Sequence, residues 1–155
     1  MNWDTLYMLL AGDISFKSKD PRTKVGAVAV NKKKRVVSIG FNGFPRNVID
    51  SVNVYEDRKR KWYRVIHAET NAIVFAGGKK IHTMYCTHPP CGPCMALMIQ
   101  AGVKEAVWDS GVYRGLLSYE ESHKEALEMA WEAGLKMFEW NGKERVQIEN
   151  PDQDR

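Results

Sequence analysis

A three-layer α/β/α sandwich built on a mixed five-stranded sheet is the fold class that the sequence predicts. Two β-rich runs, 25–30 and 35–41, are joined by a short basic polar segment and read as an antiparallel hairpin. After them, helical and extended patterns alternate: a helix over 68–76, a strand over 81–87, a helix over 93–101, a strand over 105–108, a long helix and a strand over 135–140. Strand–helix–strand units need right-handed crossovers that lay helices on the sheet faces, whereas a hairpin cannot belong to a wholly parallel sheet. Together these patterns require a mixed sheet with helical layers.

Residues 2–16 open on Asn2, a residue suited to an N-cap, and place Leu6, Leu9, Leu10 and Ile14 near helical spacing. Asp20-Pro21 ends that helix, and Asn31 lies in or beside the hairpin turn. Asn42-Gly43-Phe44-Pro45 interrupts the second strand with turn chemistry, and 46–61 reads as an irregular excursion placed to cover a pocket. Gly77-Gly78 stops the next helix, Pro89-Pro90 closes the third strand, and Pro93 suits the first turn of the helix that follows. Ser118 and Glu121 have capping-box spacing ahead of a face formed by Ala126, Met129, Ala130 and Ala133, which Gly134 terminates. The polar stretch from about 143 onward is expected to be peripheral, and 1–155 to be one domain with a core that needs no covalent staples.

The formal net charge is +4, unevenly spread: 16 of the 23 Lys/Arg but 7 of the 19 Asp/Glu fall in residues 1–80, leaving 7 and 12 for the rest. Lys32-Lys33-Lys34-Arg35 reads as a solvated turn; Arg58-Lys59-Arg60-Lys61 with Arg64 reads as a solvated face, a nucleotide-phosphate contact or a contact with a neighbouring subunit. No apolar stretch approaches the roughly 18 residues of a membrane span, and Met1-Asn2-Trp3-Asp4 carries no secretory leader, so a cytoplasmic chain without membrane partners is expected. Trp3, Trp62, Trp131 and Trp140 are assigned to core or interface.

Three cysteines, Cys86, Cys91 and Cys94, are poor material for a disulfide framework and better material for a metal. Cys86 falls within the third strand and reads as buried. Cys91 and Cys94 are three apart at a helix start, so both sulfurs can face one ion, and His67, at another helix start, supplies a third ligand. Three protein ligands leave one position for water, which is the pattern of catalytic rather than structural zinc. Glu69, two residues beyond His67, is the proton shuttle candidate: it takes a proton from water, delivers one to a ring nitrogen and gives one to departing ammonia. Tyr113 and Arg114 supply an aromatic ring and a guanidinium suited to base stacking and phosphate binding, with Arg22 and Lys24 as secondary phosphate candidates.

His67-Ala68-Glu69 with Pro90-Cys91-x-x-Cys94 resembles the cytidine and deoxycytidylate deaminase family. Val25 to Val28, Gly40 to Pro45, His67 to Ile73 and Ala101-Gly102-Val103 resemble its deoxycytidylate branch, over residues 5–140. The resemblance implies hydrolysis of dCMP to dUMP and ammonia, with dCTP a further possible substrate, and one Zn2+ per chain, since residues 43–66 hold no extra cysteine or histidine for a second ion. It also implies that the Asn42 amide bonds the sugar hydroxyl, that the Ala68 N–H meets the cytosine carbonyl, and that His88 and Pro89 offer backbone groups to the base. A homohexamer with a dCTP activator and a dTTP inhibitor near Gly43 and Phe44 follows from the same resemblance, Mg2+ entering only with a bound triphosphate. Asn47 stands where the family often has glycine, which weakens the regulatory expectation. A tRNA adenosine deaminase, a thioredoxin-like redox protein and a non-catalytic zinc module that binds nucleic acid are the competing readings. The zinc module needs a fourth ligand, for which His88 is the local candidate, His82 beginning a strand and His123 falling on a distant helix.

Overall fold

The structure is a computed structural model that describes residues 1–112 and 117–153, with only the backbone described for 117–119. Helix α1 (Trp3–Ser15) begins as expected: the Asn2 side chain accepts the Thr5 N–H at 2.8 Å. Strands β1 (Gly26–Val30) and β2 (Val36–Phe41) form the antiparallel hairpin. Its turn is tied by Asn31, whose side-chain amide oxygen accepts the N–H groups of Lys33 and Arg35.

The segment expected to be irregular contains two short helices, α2 (Val52–Glu56) and α3 (Arg58–Arg64). Asp57 caps α3 by accepting the Arg60 N–H, and Tyr55 of α2 is buried against Phe44 with ring centroids 4.1 Å apart. These two anchors order a stretch whose sequence lacks any helical stripe long enough to read.

Then follow α4 (Ala68–Ala76), β3 (Thr83–Cys86), α5 (Gly92–Gln100), β4 (Glu105–Asp109), α6 (Leu117–Ala133) and β5 (Lys136–Trp140). The sheet has six strands rather than the expected five, in the order β2-β1-β3-β4-β5-β6. The sixth, β6 (Arg145–Gln147), comes from the stretch expected to be peripheral and pairs antiparallel with β5. At three residues it is too short to show an alternating pattern, and it is pinned by Arg145, which bonds Glu105 at 2.8 Å and lies over the Phe138 ring.

The sheet is mixed, as expected: β3, β4 and β5 are parallel, while β1 is antiparallel to both neighbours. Side-chain alternation along β1 builds the layers. Ala27 and Ala29 face α4, α5 and α6 in the larger core with Met84, Met95, Met98 and Trp108; Val28 and Val30 face Tyr7, Met8 and Ala11 of α1. Two glycines let helices seat closely on this hairpin. A Cβ at Gly26 would lie 1.9 Å from the Ala11 carbonyl oxygen of α1, and one at Gly40 would lie 2.1 Å from the Ala68 carbonyl oxygen of α4. Trp131 and Trp140 are partly buried against the cores, whereas Trp3 and Trp62 are 45% and 75% exposed and belong to neither core cluster of the described residues.

Candidate metal and active site

Phe41 and Cys86, the last residues of β2 and β3, pair with Gly26 and Ala27 at the start of β1, so the two strands finish at the same end of the sheet, one on either side of β1. Beyond that end the chain places the starts of two helices. His67 precedes α4 and Cys91 precedes α5, both in extended backbone conformation. The His67 Nδ1 lies 3.4 Å from Cys91 Sγ and 3.3 Å from Cys94 Sγ, and the three ligand atoms lie within 4.8 Å of one another. Zinc bond lengths of about 2.3 Å to sulfur and 2.0–2.1 Å to nitrogen imply a tetrahedral edge of about 3.6 Å, so these residues fit zinc. The two sulfurs are buried and His67 is exposed, so the site opens on the histidine side. His88 is outside the cluster; its Nδ1 is 2.7 Å from the Thr87 hydroxyl, so among the described residues the ligand set stops at three.

Metal-free, the two thiols share their protons unequally. The Cys94 thiol donates to Cys91 and His67 stands beside it, which together outweigh burial and pull Cys91 well below the usual thiol range. The same bond, burial and the nearby Glu69 carboxylate push Cys94 up. Glu69 is 3% exposed, on the first turn of α4, and its charge also raises the buried Cys86 thiol, whose shift comes mainly from desolvation. Glu69 thus stands within electrostatic reach of the cluster and is sheltered from solvent. Cys86 is a buried strand residue and no ligand.

The other expected site residues divide. Ala68 is wholly buried at the start of α4, and His88 and Pro89 lie between β3 and α5. Tyr113 and Arg114 lie outside the described residues. Asn42 is 4% exposed, and its amide is engaged internally: Oδ1 accepts the Val25 N–H at 2.8 Å and Nδ2 donates to the Thr23 carbonyl at 2.8 Å. It clasps the loop that precedes β1. Arg22 is exposed on that loop, whereas the Lys24 ammonium donates to the Ser18 carbonyl and closes the loop on itself. Gly43 bridges to Ile66 just before His67, and Phe44 stacks on Tyr55. Asn47 has φ +64°, a conformation that explains a glycine preference and that asparagine tolerates better than other side chains.

Asp20 organises the same loop and was not apparent from any motif. It is fully buried, its Oδ1 accepts the N–H groups of Arg22 and Thr23, and its Oδ2 pairs with Lys61 Nζ of α3 at 2.5 Å. Burial alone raises its pKa, but Lys61 and the two N–H donors outweigh burial and hold the carboxyl below the usual carboxylate range. A depressed folded-state pKa contributes stability that is fully present above the unfolded value of about 3.9 and is lost as pH falls through the folded value. Lys61→Met should therefore destabilise the metal-free chain by about 3 kcal/mol at pH 7, because it strands a buried carboxylate, and by progressively less below pH ~4. Denaturant unfolding of both proteins across that range checks the convergence.

A three-layer α/β/α fold whose paired helix starts bring a His/Cys/Cys cluster together has the chemistry of a zinc-type hydrolase. Residues 1–110 match the cytidine and deoxycytidylate deaminase zinc-binding region. The chain is 35% identical over 136 residues to a probable deoxycytidylate deaminase of Drosophila melanogaster, covering 80% of this chain and 67% of that protein. It is 35% identical over 120 residues to the deoxycytidylate deaminase of Homo sapiens, covering 73% and 67%. The crystal structure of the dCMP deaminase from cyanophage S-TIM5 in complex with dCMP and dUMP superposes with a TM-score of 0.65 at 26% identity, covering 87% of this chain and 94% of that one. The chain belongs to the cytidine and deoxycytidylate deaminase family and is a zinc-type hydrolytic deaminase.

Proposed function

We propose that the chain converts dCMP to dUMP and ammonia, with one zinc held by His67, Cys91 and Cys94. The observation that carries this reading is the histidine nitrogen within 3.4 Å of both sulfurs, two residues ahead of a buried Glu69. The likeness to a deaminase solved with dCMP and dUMP supports the choice of substrate. When bound, zinc lowers the pKa of a water and supplies a nucleophile near neutral pH. Glu69 would accept a proton from the attacking water and pass it to the pyrimidine ring nitrogen as oxygen adds to the amine-bearing carbon; it would then take the remaining hydroxyl proton and give it to the amine as the carbon–nitrogen bond breaks and the carbonyl forms, so that water is consumed and ammonia released. Its burial keeps bulk water from competing for these protons.

Ala68 N–H, with backbone groups of His88 and Pro89, orients the base, and Arg114 with Arg22 takes the phosphate. Asn42 serves the sugar through whatever hydrogen-bonding capacity its two backbone bonds leave. We assign Gly43, Phe44 and Asn47 to a regulatory triphosphate site that takes dCTP or dTTP, with Mg2+ accompanying the triphosphate. The exposed Trp3, Leu6 and Leu9 of α1 and Trp62 and Tyr63 of α3 support assembly into a homo-oligomer, with a hexamer first. No helix among the described residues is long and apolar enough to cross a membrane.

Steady-state kcat/KM on deoxycytidine, dCMP and dCTP tests the substrate. A charge-assisted bond to phosphate is worth roughly 1.5–3 kcal/mol, about one to two orders of magnitude. Arg114→Ala should therefore cost dCMP about 10- to 100-fold and deoxycytidine little. Wild-type enzyme turning over deoxycytidine as well as dCMP would overturn the nucleotide assignment.

A further inference from the structure

We propose that α6 sets the geometry of the metal loop, with Ser122 and His123 as positioning residues for Cys91 and Cys94. This inference rests on the metal reading of the His67, Cys91 and Cys94 cluster and extends it to a helix outside the ligand set.

An ordinary N-cap residue turns its side chain back to accept an N–H of its own helix. Here His67 and Cys91 occupy the N-cap positions of α4 and α5, and neither side chain makes that bond, because the imidazole and the thiol are turned toward each other. The start of α5 is capped from elsewhere. The N–H of Gly92, a buried residue, donates to the Ser122 hydroxyl at 2.8 Å. On the other side of Cys91, the Pro90 carbonyl lies 3.0 Å from His123 Nδ1. A carbonyl oxygen only accepts, so this nitrogen carries the proton. The His123 ring is itself held edge-on to the fully buried Trp108, with centroids 5.6 Å apart at 86°.

Both neighbours of Cys91 are therefore hydrogen-bonded to one turn of α6. The approach is close: a Cβ on Gly92 would lie 3.3 Å from both the carbonyl and hydroxyl oxygens of Ser122. Ala126 and Ala130, small and fully buried, sit further along the same helix in the core shared with Met95 and Met98 of α5. The loop is thus held from behind by α6 while its sulfurs face His67. Loss of such supporting bonds weakens metal binding by about 10- to 100-fold in metal sites generally.

Zinc affinity of the metal-free full chain, measured by competition with a chromophoric chelator, tests the role without recourse to turnover. Absorption of the cobalt-loaded protein reports the geometry of the thiolates. Ser122→Ala removes the acceptor for Gly92. His123→Phe keeps a ring against Trp108 but loses the N–H, whereas His123→Asn keeps a donor near the Nδ1 position and loses the ring. Zinc affinity should fall about 10-fold in Ser122→Ala and His123→Phe, stay near wild type in His123→Asn, and do so with little change in the unfolding temperature of the metal-free protein. Unchanged affinity in Ser122→Ala and His123→Phe overturns the proposal, as does an affinity retained in His123→Phe and lost in His123→Asn, which would assign the effect to ring packing. A wild-type chain that takes up no zinc would instead overturn the metal reading on which the inference rests.

Discussion

Glu69→Gln is expected to lower kcat by about 10²- to 10⁴-fold while the protein still loads zinc. Glutamine matches glutamate in size and hydrogen-bonding reach but cannot take a proton from water. The side chain is 3% exposed, so water cannot enter easily to replace the missing base. Metal uptake should survive, because the carboxylate is absent from the ligand cluster and its charge opposes ionisation of Cys94, after the Cys91 bond and burial. Zinc content and single-turnover rate measured on the same preparation separate the two effects. Near-normal turnover in a zinc-loaded Glu69→Gln protein would remove Glu69 from the proton-transfer role.

Gly40→Ala, like Gly26→Ala, should be among the most damaging single methyls in the chain's hairpin. The new Cβ would stand 2.1 Å from the Ala68 carbonyl oxygen and 2.5 Å from the Ala72 nitrogen, both backbone atoms of α4 that no rotamer change can move aside. Accommodation requires α4 to lift from β2, against bonds that hold it there: the Asn71 amide donates to the Phe41 carbonyl, and the Ser38 hydroxyl to the Ala72 carbonyl. A cost of about 3 kcal/mol or more is expected, a fall of roughly 6–12 °C in Tm. Because α4 carries Glu69 and follows His67, a displacement near 1 Å also costs about 10²-fold in activity. Gly12→Ala is the matched control. Its Cβ meets nothing within 4 Å inside α1, so it should stabilise the chain by just under about 1 kcal/mol and leave activity alone. Thermal unfolding and kcat/KM for both variants check the contrast, and a Gly40→Ala enzyme of normal stability would refute the close-packing argument.

The His67, Cys91 and Cys94 cluster was legible because each member lies at a helix start marked by local signals. Proline residues flank Cys91, the three-residue step to Cys94 spans one helical turn, and Gly77 in left-handed conformation ends α4 where expected. The hairpin was legible from its β-rich runs and the Asn31 turn. Less legible were α2, α3 and β6, elements of 5, 7 and 3 residues, too short for a period to emerge. The amide of Asn42 offered a plausible sugar contact in sequence, yet its immediate partners are Val25 and Thr23 across the hairpin.

By itself the sequence determined the alternation of elements, the mixed sheet and the grouping of His67, Cys91 and Cys94, since all of these depend on residue type and local pattern. Only the tertiary structure decided the long-range contacts that fix the surrounding loops. Lys61 reaches Asp20 across 41 positions, Ser122 reaches Gly92 across 30 and His123 reaches Pro90 across 33. Such contacts arise where helices and loops pack around one end of the sheet. They satisfy buried backbone groups and charges whose need for a partner appears only once those layers have closed over them.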